Sequence, residues 1–361
     1  MKATETKTEL AEQKNRLAWI DYAKGMAILM VVYRHLLIGL GRSGLDTPAV
    51  LMKAADIVLT VRMPLFFVLS GFFIGRSLQK RSNLQFIRNK FDTLLYPYLI
   101  WAAIQVSLQI FFSSYINADR TGMDYLYILI KPRAIDHFWF IYALFNVSVF
   151  YLFISRVLKG NKMGMLIIGI IFRIAFVYLH QIPVLNDILR YFFFLAVGDV
   201  VASFILKSEN QEKMSSYKFT LLVLVIFSVA QWFWLDKIYV TNGVISEEAG
   251  YEHNELNTFI LTVLPLVGSI LIFSISFILA KHNLMKFFSV AGYYSLYIYL
   301  LHAMVGAASR VALVKFLGIT NVPLLLAIEI VIATAIPIIF YKLINRIGLY
   351  FLFSPNKPKR A

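Results

Sequence analysis

Asp21, Lys24, Arg34 and His35 stand inside "WIDYAKGMAILMVVYRHLLIGL", a stretch otherwise apolar enough to cross a bilayer. An ionisable group in hydrocarbon is costly unless paired or hydrated, so its default meaning is a functional site. On an α-helix Lys24 and His35 differ by about 20° around the axis and by about 16 Å along it. Asp21 falls near the same stripe, and Arg34 points well away from it. A histidine held in a dry pocket can take the proton from an attacking hydroxyl, which makes His35 the candidate general base. The plainer reading is a histidine hydrogen-bonded inside a helical bundle.

The next apolar run, "VRMPLFFVLSGFFIG", carries Arg62 in its outer part, then Pro64 and a Ser70-Gly71 step. Arg62 is expected at a depth similar to His35, both lining one polar cavity. Pro64 and the Ser70-Gly71 step read more plainly as a kink or a close packing contact. The loop that follows holds five cations, Arg76, Lys80, Arg81, Arg88 and Lys90. They suit either lipid headgroups or the phosphates of a nucleotide cofactor arriving from the cytosol. Arg173, Asp199, His302, Arg310 and Glu329 are further intramembrane polar groups, each reading singly as a structural pair, and His137 lies at the mouth of the fourth span.

Several chemistries are excluded by what the chain lacks. It has no cysteine, which rules out disulfides, cysteine-ligated metals and acyl-cysteine intermediates. No H-E-x-x-H, G-x-S-x-G or phosphate-binding glycine loop occurs, which argues against a metalloenzyme, a serine hydrolase and an NTP-driven pump.

The elements that must position these residues are membrane helices. Of 361 residues 59% are hydrophobic and 15% charged, and the mean hydropathy is +0.71. The expected fold is all-α, a polytopic integral membrane bundle of about ten transmembrane helices. Their approximate positions are 17–40, 55–75, 93–113, 137–157, 163–180, 188–206, 217–235, 257–280, 292–315 and 322–347. Residues 114–136 are too polar to span and leave room for a short interfacial helix around Tyr125 to Ile130. Loop Lys and Arg number 22 on the side of the N-terminus and 8 opposite, so both termini are expected in the cytoplasm. The first run is too long for a cleaved signal sequence and should stay. The net charge of +15 follows this loop pattern, without a basic-aromatic motif for nucleic acid. The longest external loop, Asp236 to Glu255, mixes acidic and aromatic residues. It reads as a solvated loop or as a rim over an external substrate site.

Six fragments in order, "WIDYAKGMAILMVVYRH", "RMPLFFVLSGFFIG", "KFDTLLYPYLIW", "HFWFIYALF", "LRYFFFLAVGD" and "GYYSLYIYLLH", resemble the acyltransferase 3 family. The resemblance is to its branch of fucose 4-O-acetylase-like and other polysaccharide O-acetyltransferases. It implies a ten-span enzyme that moves an acyl group, acetyl in the first instance, from cytosolic acyl-CoA to a hydroxyl of an envelope or exported glycan. The family's pattern of a basic residue, ten residues and a catalytic histidine falls on Lys24 and His35. Lys24 stands where many members have arginine, which removes a bidentate fork. Lys90 and Thr93 stand where many have two arginines three residues apart, and Arg62 where a histidine is common.

The expected site then has three parts. His35, Arg34 and Arg62 are catalytic; Lys24, Arg76, Arg88 and Lys90 hold the donor; and His137, Trp139, Ser70 and His302 meet the acceptor. The donor is acetyl-CoA, and no metal is expected. The partners are acyl-CoA, a glycan or lipid-linked saccharide, membrane lipid and glycan-synthesis machinery, without nucleic acid, in a bacterial inner (plasma) membrane. Residues 1–16 and 348–361 are expected as cytoplasmic flanks of a domain at 17–347. Rival readings are a glycan or anion transporter, and a different membrane-bound O-acyltransferase fold with its essential histidine later, at His302. With Trp19 taken as the inner interface, His35 lies about 24 Å along the helix, toward the outer third of the bilayer. Donor and acceptor would then enter from opposite sides. Reporter fusions after Lys162 and after Glu248 are expected to report opposite faces of the membrane, and finding both on one face overturns the topology.

Overall fold

In hydrocarbon only a helix satisfies every backbone group within one segment, so long apolar runs leave the chain little choice. The computed structural model describes residues 2–113, 120–237 and 253–357, with the backbone alone for 2–17 and 237. Among the described residues there is no strand, and ten helices are long and apolar enough to cross a membrane. In chain order the helices are α1 (Lys2–Arg42), α2 (Ala49–Lys80), α3 (Asn83–Lys90), α4 (Tyr96–Phe111), α5 (Asp124–Ile130), α6 (Trp139–Val157) and α7 (Lys162–Leu179). They continue with α8 (Leu185–Ile205), α9 (Ser208–Met214), α10 (Tyr217–Lys237), α11 (Glu255–Lys281), α12 (Lys286–Tyr293), α13 (Ser295–Val311) and α14 (Val322–Arg346).

The ten expected spans are all present, and α5 occupies the place of the short helix expected in the polar loop. Several boundaries differ from the expectation, the second span running Ala49–Lys80 and not 55–75. The third span starts at Asn83, because α3 runs into α4 through a π-helical turn, Phe91–Leu95. Before the ninth span the chain breaks into the separate helix α12, entered through a left-handed Met285 with φ 46°. Of the external loop, 238–252 lie outside the described residues, as do 114–119.

The helices group into two compact units. The first comprises residues 1–69 and 201–337, the second 70–200 and 338–361. At the heart of the first unit is α1, with Ala23, Ala27, Ile28, Val31, Val32, Leu36 and Leu37 all buried. Trp19 is buried as well, its ring 5.4 Å from Phe273 and 4.6 Å from Phe277. It packs inside the unit, on two rings of α11.

Against α1 lies α12, backbone to backbone. A side chain at Gly25 would run into the Phe288 carbonyl, and one at Gly292 into the Asp21 carbonyl. Small residues at such crossings let helices approach closely where lipid offers no hydrophobic drive. In the second unit Gly71 and Gly75 do the same for α2. A Cβ at Gly71 would meet α8 at Leu195 and Gly198, and one at Gly75 would meet the Asp199 carboxylate.

Gly25→Val and Gly292→Val are expected to dislodge α12, because backbone atoms cannot yield as side chains do; the cost should exceed the roughly 1–3 kcal/mol of ordinary overpacking. The check is the thermal unfolding midpoint of the detergent-purified chain. Gly122→Ala, with open space around it, should leave that midpoint unchanged.

Candidate active site

In the first unit α1 and α13 run side by side in one register. His35 meets His302, Leu36 lies against Gly306, and Gly39 lies against Arg310. A Cβ at Gly306 would meet the end of the Leu36 side chain, and one at Gly39 the Arg310 guanidinium. The half-buried His35 places its Nδ1 2.8 Å from Nε2 of the fully buried His302. On its far side the His302 Nδ1 is 3.0 Å from the Ile298 carbonyl and 2.9 Å from that of Tyr299.

A main-chain carbonyl only accepts, so the His302 Nδ1 carries a proton, an assignment made from the bonding partners. With the pair uncharged, the His302 Nε2 is then the acceptor and the His35 Nδ1–H the donor. That tautomer puts the lone pair of His35 on Nε2. A histidine whose one nitrogen is fixed by a hydrogen bond presents the other as a base of defined orientation.

Around this pair the charges are answered by other helices. Nη1 of Arg34 is 3.0 Å from the Asp56 carboxylate on α2, and both residues are buried. The charge of Arg34 is thus countered by Asp56, a partner the sequence reading missed; its signal was a lone acid in the apolar run "ADIVLTV". Further along α2, Thr60 donates to Gln231 of α10 at 3.3 Å, and Arg62 is buried. Arg310 donates 3.4 Å to the Leu36 carbonyl, one residue beyond His35, and 3.3 Å to Glu329. Lys24 is partly exposed, 3.9 Å from the Asp21 carboxylate.

The second unit holds a basic cavity of about 310 Å³, at the small end of ligand-site volumes. Ser70, Phe73, Ile74, Arg76, Ser77, Lys80, Arg81, Asn89 and Lys90 line it. Local sequence builds it. The glycines of α2 turn one face of that helix onto α8, leaving Ser70, Ile74 and Ser77 for the cavity. Ser82 then caps α3 in a capping box with Gln85, a tight return that brings Asn89 and Lys90 back beside Arg76.

Arg76 and Lys90 thus come together with Ser70, and Lys80 and Arg81 join them. Arg88 is exposed on α3 and is absent from the lining. The nearby acid, Asp199, is already engaged. It accepts from Lys162 at 2.9 Å and from Tyr151 at 2.9 Å, so it does not offset the cavity's charge.

His137 and Trp139 lie elsewhere in this unit. His137 is buried, its ring 4.3 Å from that of Phe138. The Trp139 ring carries the Arg133 guanidinium 3.9 Å from its centroid and stacks on Tyr191 at 5.8 Å. Arg133 is held by Asp187 at 2.6 Å. Sugar stacking on Trp139 would therefore compete with partners already in place. Close by in sequence, Arg120 bonds Asp124 at 3.0 Å and Asp136 at 3.1 Å. The Thr121 main-chain N–H, followed by Arg120, holds the Asp124 carboxyl below its ordinary range. Among the described residues no group of three or more His, Cys, Asp or Glu could hold a metal ion.

The profile of the acyltransferase 3 family, described as an acyltransferase domain, matches residues 17–342. The chain belongs to the acyltransferase 3 family. Its ten apolar helices are those of a multi-pass membrane protein. The chain is also similar to Nodulation protein NolL of Mesorhizobium japonicum, with 28% identity over 159 residues, 44% of this chain and 40% of that protein. It thus spans well under half the length of that relative. No solved structure matches this chain.

Breaking one partner of a buried ion pair costs about 3–5 kcal/mol, whereas replacing both by apolar groups is often neutral. Asp56→Leu and Arg34→Met should therefore each lower the thermal midpoint of the purified chain, and the double variant should recover most of the loss. Additive losses would show that the two side chains act independently.

Proposed function

We propose that this acyltransferase moves an acyl group, acetyl in the simplest case, from cytosolic acyl-CoA to a hydroxyl of an envelope or exported glycan. The observation that carries the reading is the His35–His302 bond, since it presents one imidazole nitrogen as an oriented base inside a membrane bundle. His35 Nε2 takes the proton of the acceptor hydroxyl as its oxygen attacks the thioester carbonyl. The C–O bond forms, the C–S bond breaks, and the proton on His35 passes to the departing thiolate. Nothing is gained or lost in the exchange, and neither an oxidant nor a metal is required.

His302 is on this reading a positioning residue. Its Nε2 accepts from the His35 Nδ1–H, fixes the ring and steadies the imidazolium that forms. General-base catalysis of this kind is worth roughly 10²- to 10⁴-fold in rate. Arg34, held by Asp56, or Arg62, buried on the same α2 that carries Asp56, then stabilises the oxyanion or positions the acceptor.

The cation-lined cavity fits the phosphates of CoA, since four cations, three hydroxyl or amide side chains and no acid line it. Arg76 and Lys90 contribute to it directly and Arg88 only through the surrounding field. Lys24, on the same face of α1 as His35, meets the acyl-pantetheine part of the donor. The acceptor is a carbohydrate or lipid-linked saccharide, and the membrane is a bacterial inner membrane with both termini of the chain in the cytoplasm. Residues 17–347 form the transferring domain between cytoplasmic flanks at 1–16 and 348–361.

His35→Ala should abolish transfer from radiolabelled acetyl-CoA to total cell glycan while the purified variant stays folded. His302→Ala should lower the rate by roughly 10- to 100-fold, and His302→Gln, whose amide oxygen can accept from His35, should recover part of it. Activity of His35→Ala within about threefold of wild type would remove His35 from the mechanism.

A further inference from the structure

Residues 350–356 close on the second unit. The Phe353 side chain is buried, its ring 5.3 Å from Trp101, 5.3 Å from Tyr341 and 6.4 Å from Phe340. On one side of it the Tyr96 hydroxyl donates to the Phe351 carbonyl at 2.7 Å. On the other the Asn356 amide donates to Asp92 at 2.8 Å. Asp92 lies in the π-helical turn Phe91–Leu95, and Tyr96 is the residue that ends it. All three anchors, Asp92, Tyr96 and Trp101, thus belong to the π turn or to the first turns of α4.

A π turn is rare, holds one residue more than an α turn, and persists where surrounding contacts sustain it. Its position here is informative. The residue immediately before it is Lys90, which lines the basic cavity with Arg76, Lys80 and Arg81. A segment that relaxes by one residue of register turns the preceding helix by about 100° about its axis. Relaxation of this turn would therefore carry Lys90 and Asn89 away from the cavity wall. The charge of the cavity depends on a backbone irregularity, and the irregularity is bound at both ends by 350–356.

We propose that residues 350–356 act as a strap that holds the π turn and so sets Lys90 in the cavity. Phe353 and Asn356 are then positioning residues for the phosphates of the acyl donor. The inference rests on the reading of the cavity as the donor's phosphate site. It differs from that reading in that neither Phe353 nor Asn356 lines the cavity or offers it a charge.

The test compares Phe353→Ala, Phe353→Leu, Asn356→Ala and Lys90→Ala in the full chain, purified in detergent. It uses steady-state transfer from acetyl-CoA and hydrogen–deuterium exchange over residues 86–96. Phe353→Ala is expected to raise the KM for acetyl-CoA by roughly three- to tenfold with kcat altered by less than about twofold, and Asn356→Ala to do so more weakly. Both should speed exchange across the π turn, and Phe353→Leu should restore both readouts in part. If Lys90→Ala raises KM while both strap variants leave KM and exchange unchanged, the strap is wrong and the donor reading stands. If Lys90→Ala leaves KM unchanged, the donor reading fails, and the strap is judged on exchange alone: faster exchange in Phe353→Ala or Asn356→Ala upholds it, and unchanged exchange overturns it. Should Phe353→Ala not fold, Asn356→Ala, an exposed side chain, decides the matter by the same two measurements.

Discussion

The apolar surroundings of α1 set the terms for the first unit, because a buried charge or imidazole on that helix survives only if another helix answers it. Arg34 is answered by Asp56 of α2, His35 by His302 of α13, and the Leu36 carbonyl by Arg310, itself bonded to Glu329 of α14. Each pairing does two things at once. It removes the cost of the polar group, and it fixes how one helix stands against another. The His35–His302 bond could not be kept at 2.8 Å if α13 slid by a residue along α1. The Arg310 bond to the Leu36 carbonyl opposes that slide.

The second unit follows a different logic. Four of its cations share one cavity, whereas several of its acids are paired with other cations: Asp199 with Lys162, Asp187 with Arg133, and Asp124 and Asp136 with Arg120. The division leaves a concave surface of one sign, which concentrates anionic ligands and strengthens each contact made inside it. Buried pairs elsewhere in the unit therefore matter to ligand binding without touching a ligand, because an unpaired Asp199 beside Gly75 would subtract from the field of Arg76.

Membership of the acyltransferase 3 family gives these local features a common purpose, but this chain departs from the family where the donor is expected to bind. Lysine stands at position 24, and Lys90 and Thr93 occupy the place of an arginine pair. Lysine offers a point charge on a flexible stem, and arginine a rigid fork. On the proposed reading, a cavity lined by Arg76, Lys80, Arg81 and Lys90 would offset by number the planar geometry that is lost.

Much of this was legible in the sequence because it is local. Apolar runs of spanning length appear as ten helices, and a 100° repeat puts Lys24 and His35 on one face and turns Arg34 away from it. The polar stretch around Tyr125 holds a short helix, α5. Periodicity tells which way a side chain faces, and it is silent on what stands opposite. Arg34 and Asp56 are 22 residues apart, and His35 and His302 are 267 apart. Only packing chooses such partners, by matching small residues to close crossings and donors to acceptors. The same holds for the break before α13 and the π turn after Lys90, which no composition announces. The sequence by itself determined the class of molecule, the number of spans and the residues worth watching. The tertiary structure decided the partner of His35, the countering of Arg34 and the membership of the basic cavity, since each depends on contacts between residues that the sequence does not place together.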